Sequence, residues 1–503
     1  MMQRTNVLSY LEDNIASCSE KLSFCSDERQ MTFKEVYDES RSIGSLLCKK
    51  GYSNEPVVVF MPKKPETVTA FFGVIYSGNF YVPIDSEMPD FRIRLILKNL
   101  SPKVILTDKE TLSEVEKCEF SGEILLYEDI SKEGEDSKAL ALVRERQLDT
   151  DPIYVVFTSG STGIPKGVVA NHRSVIDYVE NLSEELHFSS ETIFGSQTPL
   201  YFDACLKELY PTLKFGACTW LIPRNLFSFP IKLVEYLNEH KINTICWVVS
   251  ALTMISSMKT FEKVVPEYLT NIAFGSEVFP IKQFELWRNA LPNASFTNLY
   301  GPTEATGMSC FFHVDRERHF EPDEPIPIGR PFKNTEIMLL SEDGKLVDKG
   351  ETGEICIRGT CLTLGYFNDY QRTDEVFVQN PLNDRYHELI YKTGDLGRLN
   401  ENNELIFISR KDYQIKHMGH RIELSEIEVI ADEYDGIGMS AASYDKEKGK
   451  ISLFYQGDAS EKDVVLFLKE HLPRYMLPNR TVKLDKLPFT ANGKIDRKSL
   501  QDM

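Results

Sequence analysis

The chain has 503 residues, 42% hydrophobic and 26% charged, which are ordinary values for a folded protein and rule out wholesale disorder. Its 57 Lys and Arg against 76 Asp and Glu leave a formal net charge of −19, which argues against a general DNA or RNA binder, because such affinity rests on neutralising many phosphates. One phosphate-rich small ligand is still allowed, since a local site can oppose the global charge.

The length predicts about three structural units. Met1–Cys18 lacks the apolar core and small-residue cleavage site of a signal peptide. The longest apolar run, Val68–Ile75, is far short of the ~20 residues a membrane helix needs. The ten cysteines include no C-x-x-C pair, so free thiols in a reducing compartment are expected. Together these features predict a soluble, cytoplasmic protein.

In chain order, Pro56–Phe60 is a β-branched run of the kind found in buried parallel strands. Lys64–Tyr76 carries helical spacing and breaks at Gly78. Tyr81–Ile84, Val104–Thr107, Leu125–Tyr127 and Ile153–Phe157 read as further strands, and the charged stretch Ser131–Arg146 as a surface connection. The alternation predicts an α/β fold with helices packed on sheets. Composition shifts near Ile406–Asp412. Beyond it, a helix over Ile422–Tyr434, strands Ser440–Tyr444 and Ile451–Tyr455 and a helix over Lys462–His471 suffice for a small α+β domain. The expected layout is a large domain over 1–408 and a small one over 412–503, joined at 409–412.

The segment Phe157–Gly167 (FTSGSTGIPKG) follows a strand and is dense in Gly, Ser and Thr. Backbone N–H groups, hydroxyls and Lys166 in such a loop can cradle phosphate. It is not a Walker A loop: counting from Gly160, Pro165 stands where Gly is required and Gly167 where Ser or Thr is required. Together with an ordered series of later motifs, this loop resembles the core motif of adenylate-forming enzymes: acyl-CoA synthetases, luciferases and nonribosomal peptide synthetase adenylation domains. The series comprises Gly78–Asp85, Asn298–Glu304, Gly353–Gly359 with Leu364–Tyr366, Tyr391–Leu396, Ser409–Lys416, Gly419–Glu428 and Asn492–Arg497. It covers nearly the whole chain. The family's fold, a large domain and a mobile C-terminal one, agrees with the boundary drawn from composition.

The resemblance implies activation of a carboxylate with ATP and Mg²⁺ to an acyl-adenylate, then transfer of the acyl group to a thiol. It assigns Thr158, Ser159, Gly160, Ser161, Thr162, Gly163 and Lys166 to the β- and γ-phosphates. Thr303 goes to the α-phosphate, Glu304 to Mg²⁺, and Lys494 to the charge that develops as pyrophosphate leaves. Gly275, Ser276, Glu277, Asn298, Tyr300 and Gly301 are expected around adenine, with Asp395 on the ribose and Arg410 on ribose or phosphate oxygens. Asp412 is the expected hinge, and Lys416–Gly419 the lining of a phosphopantetheine channel once the small domain has turned.

Asp203, in Leu200–Cys205, aligns with the aspartate that binds a substrate α-ammonium, which favours an amino acid. An Asp there could instead be a helix N-cap. Ala204, Lys207, Cys246, Ile272, Phe274, Leu299, Gly307 and Met308 align with the rest of the substrate pocket. Lys207 could pair with an acidic or polar substrate side chain, or be a helix-surface lysine. Length and the segments Leu209–Leu213 and Glu277–Pro280 also resemble stand-alone D-alanine–carrier protein ligases, but Gly275 stands where those carry a pocket-restricting Cys. D-alanine or another amino acid is therefore expected. The acceptor would be a separate carrier protein or coenzyme A, since the chain ends soon after Arg497, and the enzyme would be a monomer. The alternative is an aryl- or acyl-CoA ligase.

Overall fold

A computed structural model describes residues 4–160, 162–322, 324–446, 448–488 and 495–501. The fold is α/β, as expected. Most of the chain builds three sheets. A six-stranded sheet runs in the order Glu123–Leu126, Val104–Thr107, Pro56–Phe60, Phe80–Pro83, Pro152–Thr158, Lys166–Asn171. All its neighbours are parallel except the last pair. Every residue of Pro56–Phe60 is buried, as a strand covered on both faces requires.

A nine-stranded sheet contains the parallel neighbours Thr244–Val248, Asn271–Gly275 and Ser295–Tyr300. Ile193–Ser196 is parallel to the first of these. A five-stranded antiparallel sheet includes Gly353–Gly359, Leu389–Leu399 and Leu405–Arg410. Because the parallel strands run the same way, Ser196, Val248, Gly275 and Tyr300 end at one edge. The loops leaving that edge carry most of the residues singled out above, which is where open α/β sheets place ligands.

Beyond Arg410, the hairpin Gln414–His417/His420–Glu423 precedes helix Leu424–Asp432 and a three-stranded sheet, Ile437–Asp445, Lys450–Gly457, Arg480–Lys483. These elements share a core of their own, including Ile422, Ile427, Leu453, Tyr455, Val464 and Leu468. Phe91, from helix Asp90–Leu100, packs against it.

Two expectations need revision. Ser131–Arg146 is not wholly a surface connection: Ser137–Arg146 is a helix whose first turn is capped by the Asp136 side chain, which accepts from the Ala139 N–H at 3.1 Å. The stretch expected as one helix over Ile422–Tyr434 begins as strand His420–Glu423 and turns helical only at Leu424.

Candidate functional site

The phosphate-loop candidate begins at the end of strand Pro152–Thr158 and returns along Lys166–Asn171. Gly160 is required sterically, because a Cβ there would lie 2.1 Å from the Ile164 carbonyl oxygen. The Gly163 N–H donates to the Gly160 carbonyl at 3.0 Å and closes the turn. Thr158 is buried, and its hydroxyl has no hydrogen-bond partner among the described residues. An orphan hydroxyl at a Gly-rich loop suits a ligand oxygen. Thr162 accepts from Arg372 Nη2 at 3.1 Å. Ser161 lies outside the described residues.

Groups from the C-terminal part of the chain reach this loop. The Gly160 N–H donates to Glu426 Oε2 at 3.1 Å, and Ser159 Oγ donates to the Arg421 carbonyl at 2.6 Å. Glu426 is in turn paired with Arg92, and both side chains are almost fully buried. A carboxylate thus occupies a loop N–H in this orientation of the chain.

Glu304, in a short 3₁₀ turn after Pro302, is fully buried. Its Oε1 accepts from the Tyr366 hydroxyl at 2.7 Å and from Lys166 Nζ at 3.2 Å. Its Oε2 accepts from Arg421 Nη1 at 2.7 Å. Burial opposes ionisation, but the Arg421 and Lys166 cations prevail and hold the carboxyl well below the usual range. Burial pulls the Lys166 ammonium down, with Glu304 working against it. A hard carboxylate of this kind fits Mg²⁺. Among the described residues no three His, Cys, Asp or Glu side chains gather around a metal position. A cation at this carboxylate would have to displace Arg421 from Oε2.

Asp395 lies on the long strand Leu389–Leu399, opposite Arg410. It accepts from Arg410 Nη1 at 2.5 Å and from the Tyr300 hydroxyl at 2.6 Å. Arg410 also grips Asp412 with two bonds of 2.7 Å, so the expected hinge residue is tied to the expected ribose pair. The Lys416 ammonium stands over the Tyr300 ring at 5.4 Å. The Asn298 amide is already committed: it donates to the Ile326 and Pro327 carbonyls at 3.3 and 2.9 Å. Glu277 accepts from the Ser250 N–H at 2.8 Å and from the Gly419 N–H at 3.0 Å. The turn before it holds Ser276 at φ +68°.

Asp203 opens a 3₁₀ turn that runs into helix Leu206–Phe215. It is not the N-cap of either element: those positions are Phe202 and Cys205, and neither makes a capping bond. Burial raises its carboxyl, with the Thr303 hydroxyl and the Lys207 ammonium working against the shift. Gly307, at φ +91°, passes so close that a Cβ there would lie 3.5 Å from Asp203 Oδ2. Asp203, Ala204 and Thr303 are all half-buried.

Strand parity corrects two pocket residues. Cys246 pairs with Ala273, and Gly275 with Leu299, so these four share one face of the nine-stranded sheet. Cys246, Ala273, Leu299 and Met308 belong to the core that also contains Cys205 and Leu209. Ile272 and Phe274 face the other way, in the core of Trp247, Phe279 and Phe284. Ala273 and Gly275 therefore take the places expected for Ile272 and Phe274. Gly301 leaves no room for a side chain, since a Cβ would lie 2.5 Å from Met308 Cα. Lys494 lies outside the described residues. Sequence reasoning missed the roles of Tyr366, Arg421, Glu426 and Arg92. The first three fall inside quoted motifs, but their partners are distant in the chain.

The chain is similar to known proteins along nearly its whole length. The model of the AMP-binding enzyme family matches residues 11–367. The chain is 31% identical over 514 residues to zwittermicin A synthase ZmaJ of Bacillus cereus, covering 99% of this chain and 94% of that protein. It is 30% identical over 506 residues to tyrocidine synthase 1 of Brevibacillus parabrevis, covering 99% of this chain but only 45% of that protein, less than half its length. The adenylation domain AlmE of Vibrio cholerae, solved with glycyl-adenosine-5′-phosphate, superposes with a TM-score of 0.86 at 20% identity, over 100% of this chain and 98% of that one.

Proposed function

Because the chain belongs to the AMP-binding enzyme family, we propose that it activates an amino acid as an aminoacyl-adenylate and hands the acyl group to the phosphopantetheine thiol of a separate carrier protein. The observation that carries this reading is Asp203, a half-buried carboxylate that caps no helix and faces Gly307 and Thr303. A substrate α-ammonium would give it the opposite charge that a sequestered carboxylate needs.

In the first step a carboxylate oxygen of the amino acid attacks the α-phosphorus of ATP. The bond from that phosphorus to the bridging oxygen breaks, and pyrophosphate leaves. The α-ammonium rests on Asp203, so the carboxylate points toward Thr303. The Thr158–Lys166 loop and its N–H groups hold the outer phosphates, and Lys494 stabilises charge at the reacting centre. Mg²⁺ held by Glu304 would offset phosphate charge. Asp395 accepts from the ribose hydroxyls, with Arg410 keeping it oriented. In the second step the thiol sulfur attacks the acyl carbon, the bond to the phosphate oxygen breaks, AMP leaves, and the thiol proton passes to solvent. The contacts of the 414–423 hairpin with Glu277 and Tyr300 suit this second step, in which the C-terminal part has turned about Asp412 and lines the thiol's path.

The test is ATP–pyrophosphate exchange across L- and D-amino acids, D-alanine included, with fatty and aryl acids alongside. Exchange dependent on amino acids is expected. Exchange with a fatty or benzoic acid and with no amino acid would overturn the reading in favour of an acyl- or aryl-CoA ligase.

A further inference from the structure

Lys207 is only 2% exposed, one helical turn past Asp203. The Lys207 ammonium acts electrostatically on the Asp203 carboxyl, so the two side chains border the same space. Among the described residues Lys207 makes no hydrogen bond and no ion pair. The contrast with Lys63 is direct. That ammonium lies near the same Glu208 yet donates to three carbonyls, Ser196 at 2.7 Å, Gln197 at 3.1 Å and Ile222 at 3.4 Å. A buried ammonium with no partner is costly and calls for an anion.

The nearby carboxyls do not supply one. Glu208 is fully buried, and neither of its oxygens has a hydrogen-bond partner. Burial pushes its carboxyl up to about 8 against the pull of Lys207 and Lys63, so it is mostly neutral at pH 7. Asp203 is committed to the α-ammonium on the reading above. On the sheet side the Cys246 thiol lies within electrostatic reach of Lys207, and Cys246 pairs with Ala273 on the neighbouring strand, so the wall there is built of small residues.

We propose that the amino acid activated here carries a side-chain carboxylate, with Lys207 as the residue that selects it. The inference rests on the amino-acid reading of Asp203 and adds the class of side chain. The α-ammonium binds at Asp203, the side-chain carboxylate one turn deeper at Lys207, and the α-carboxylate remains free for the phosphorus. Four positions, the first in a 3₁₀ turn and the rest in the α-helix, give about 6–7 Å of axial rise between the two charged residues, a spacing suited to side chains of aspartate or glutamate length.

The experiment measures ATP–pyrophosphate exchange by the full chain with aspartate, glutamate, asparagine, glutamine, alanine, leucine and lysine, as both stereoisomers. It compares the wild type with Lys207→Met and Lys207→Arg. ATP binding by calorimetry checks that each variant is folded. The expected wild-type result is the highest kcat/KM for aspartate or glutamate. Lys207→Met should lower kcat/KM for that acid by about 30-fold or more, mainly through KM, while the matching carboxamide loses far less. Lys207→Arg should recover part of the loss. A neutral or basic amino acid as best substrate, with an unchanged KM in Lys207→Met, overturns the inference and leaves amino-acid activation standing. Exchange with non-amino acids alone overturns both.

Discussion

The pair Arg92–Glu426 joins helix Asp90–Leu100 to the C-terminal part of the chain, and Glu426 at the same time accepts the Gly160 N–H. Replacing Arg92 with Met keeps the bulk and removes the cation. Glu426 would then be a buried carboxylate without its partner, a loss that commonly costs about 3–5 kcal/mol. Protonation sets a ceiling. Taking a carboxyl with an ordinary value of 4.5 to its neutral form at pH 7 costs about 3.4 kcal/mol, from about 1.36 kcal/mol per pH unit. The observed orientation should therefore weaken by about 3 kcal/mol, or on the order of 100-fold in population. The assay separates the half-reactions. Transfer of pre-formed aminoacyl-adenylate to a carrier thiol should fall by about that factor, while pyrophosphate exchange holds or rises. The sign of the pH effect follows from a folded-state pKa raised in the variant. Its neutral form becomes cheaper as pH falls, so the defect should shrink by about 1.4 kcal/mol per unit toward pH 5. Equal loss in both half-reactions, or no loss in either, would refute a role for this pair in setting the orientation.

Asp203→Ala should raise the amino-acid KM by tenfold or more (on the order of 1.4 kcal/mol) and leave ATP binding unchanged, and an unchanged amino-acid KM would refute its assignment. Lys494→Ala should abolish most adenylation, by on the order of 100-fold, yet still transfer pre-formed adenylate, which single-turnover assays of each step would show. Glu304→Gln keeps the shape but removes the charge that Lys166 and Arg421 share. Exchange activity should drop at least tenfold, and the Mg²⁺ concentration giving half-maximal rate should rise, read from a Mg²⁺ titration of initial rates (about 1.4 kcal/mol).

Much of this arrangement was legible because it is local. The buried run Pro56–Phe60, the Gly-rich turn before Lys166 and the order of the motifs all depend on residues close in sequence. The errors came from relations that local patterns do not contain. Ile272 and Phe274 follow from alignment with the family's pocket positions, but which face a residue joins depends on the register with neighbouring strands. Arg421 meets Glu304 across 117 positions, and Glu426 meets Gly160 across 266. No spacing rule links such pairs. The helix Ser137–Arg146 hid behind its charge, although Asp136 is an ordinary cap residue that could have marked its start.

Around the phosphate loop the chain places a guanidinium on the carboxylate suited to a metal, and a carboxylate on an N–H suited to a phosphate. On the proposed reading, this part of the protein is a tethered competitor of its own substrate. Arg421 stands in for Mg²⁺ and Glu426 for a phosphate oxygen, so the docked orientation and the bound triphosphate exclude one another. Magnesium, ATP and pyrophosphate would each shift that balance by mass action, and release of pyrophosphate would be the event that lets the tethered groups return. The order of the two half-reactions would then be written into a charge exchange at Glu304 and Gly160, with no separate signal needed.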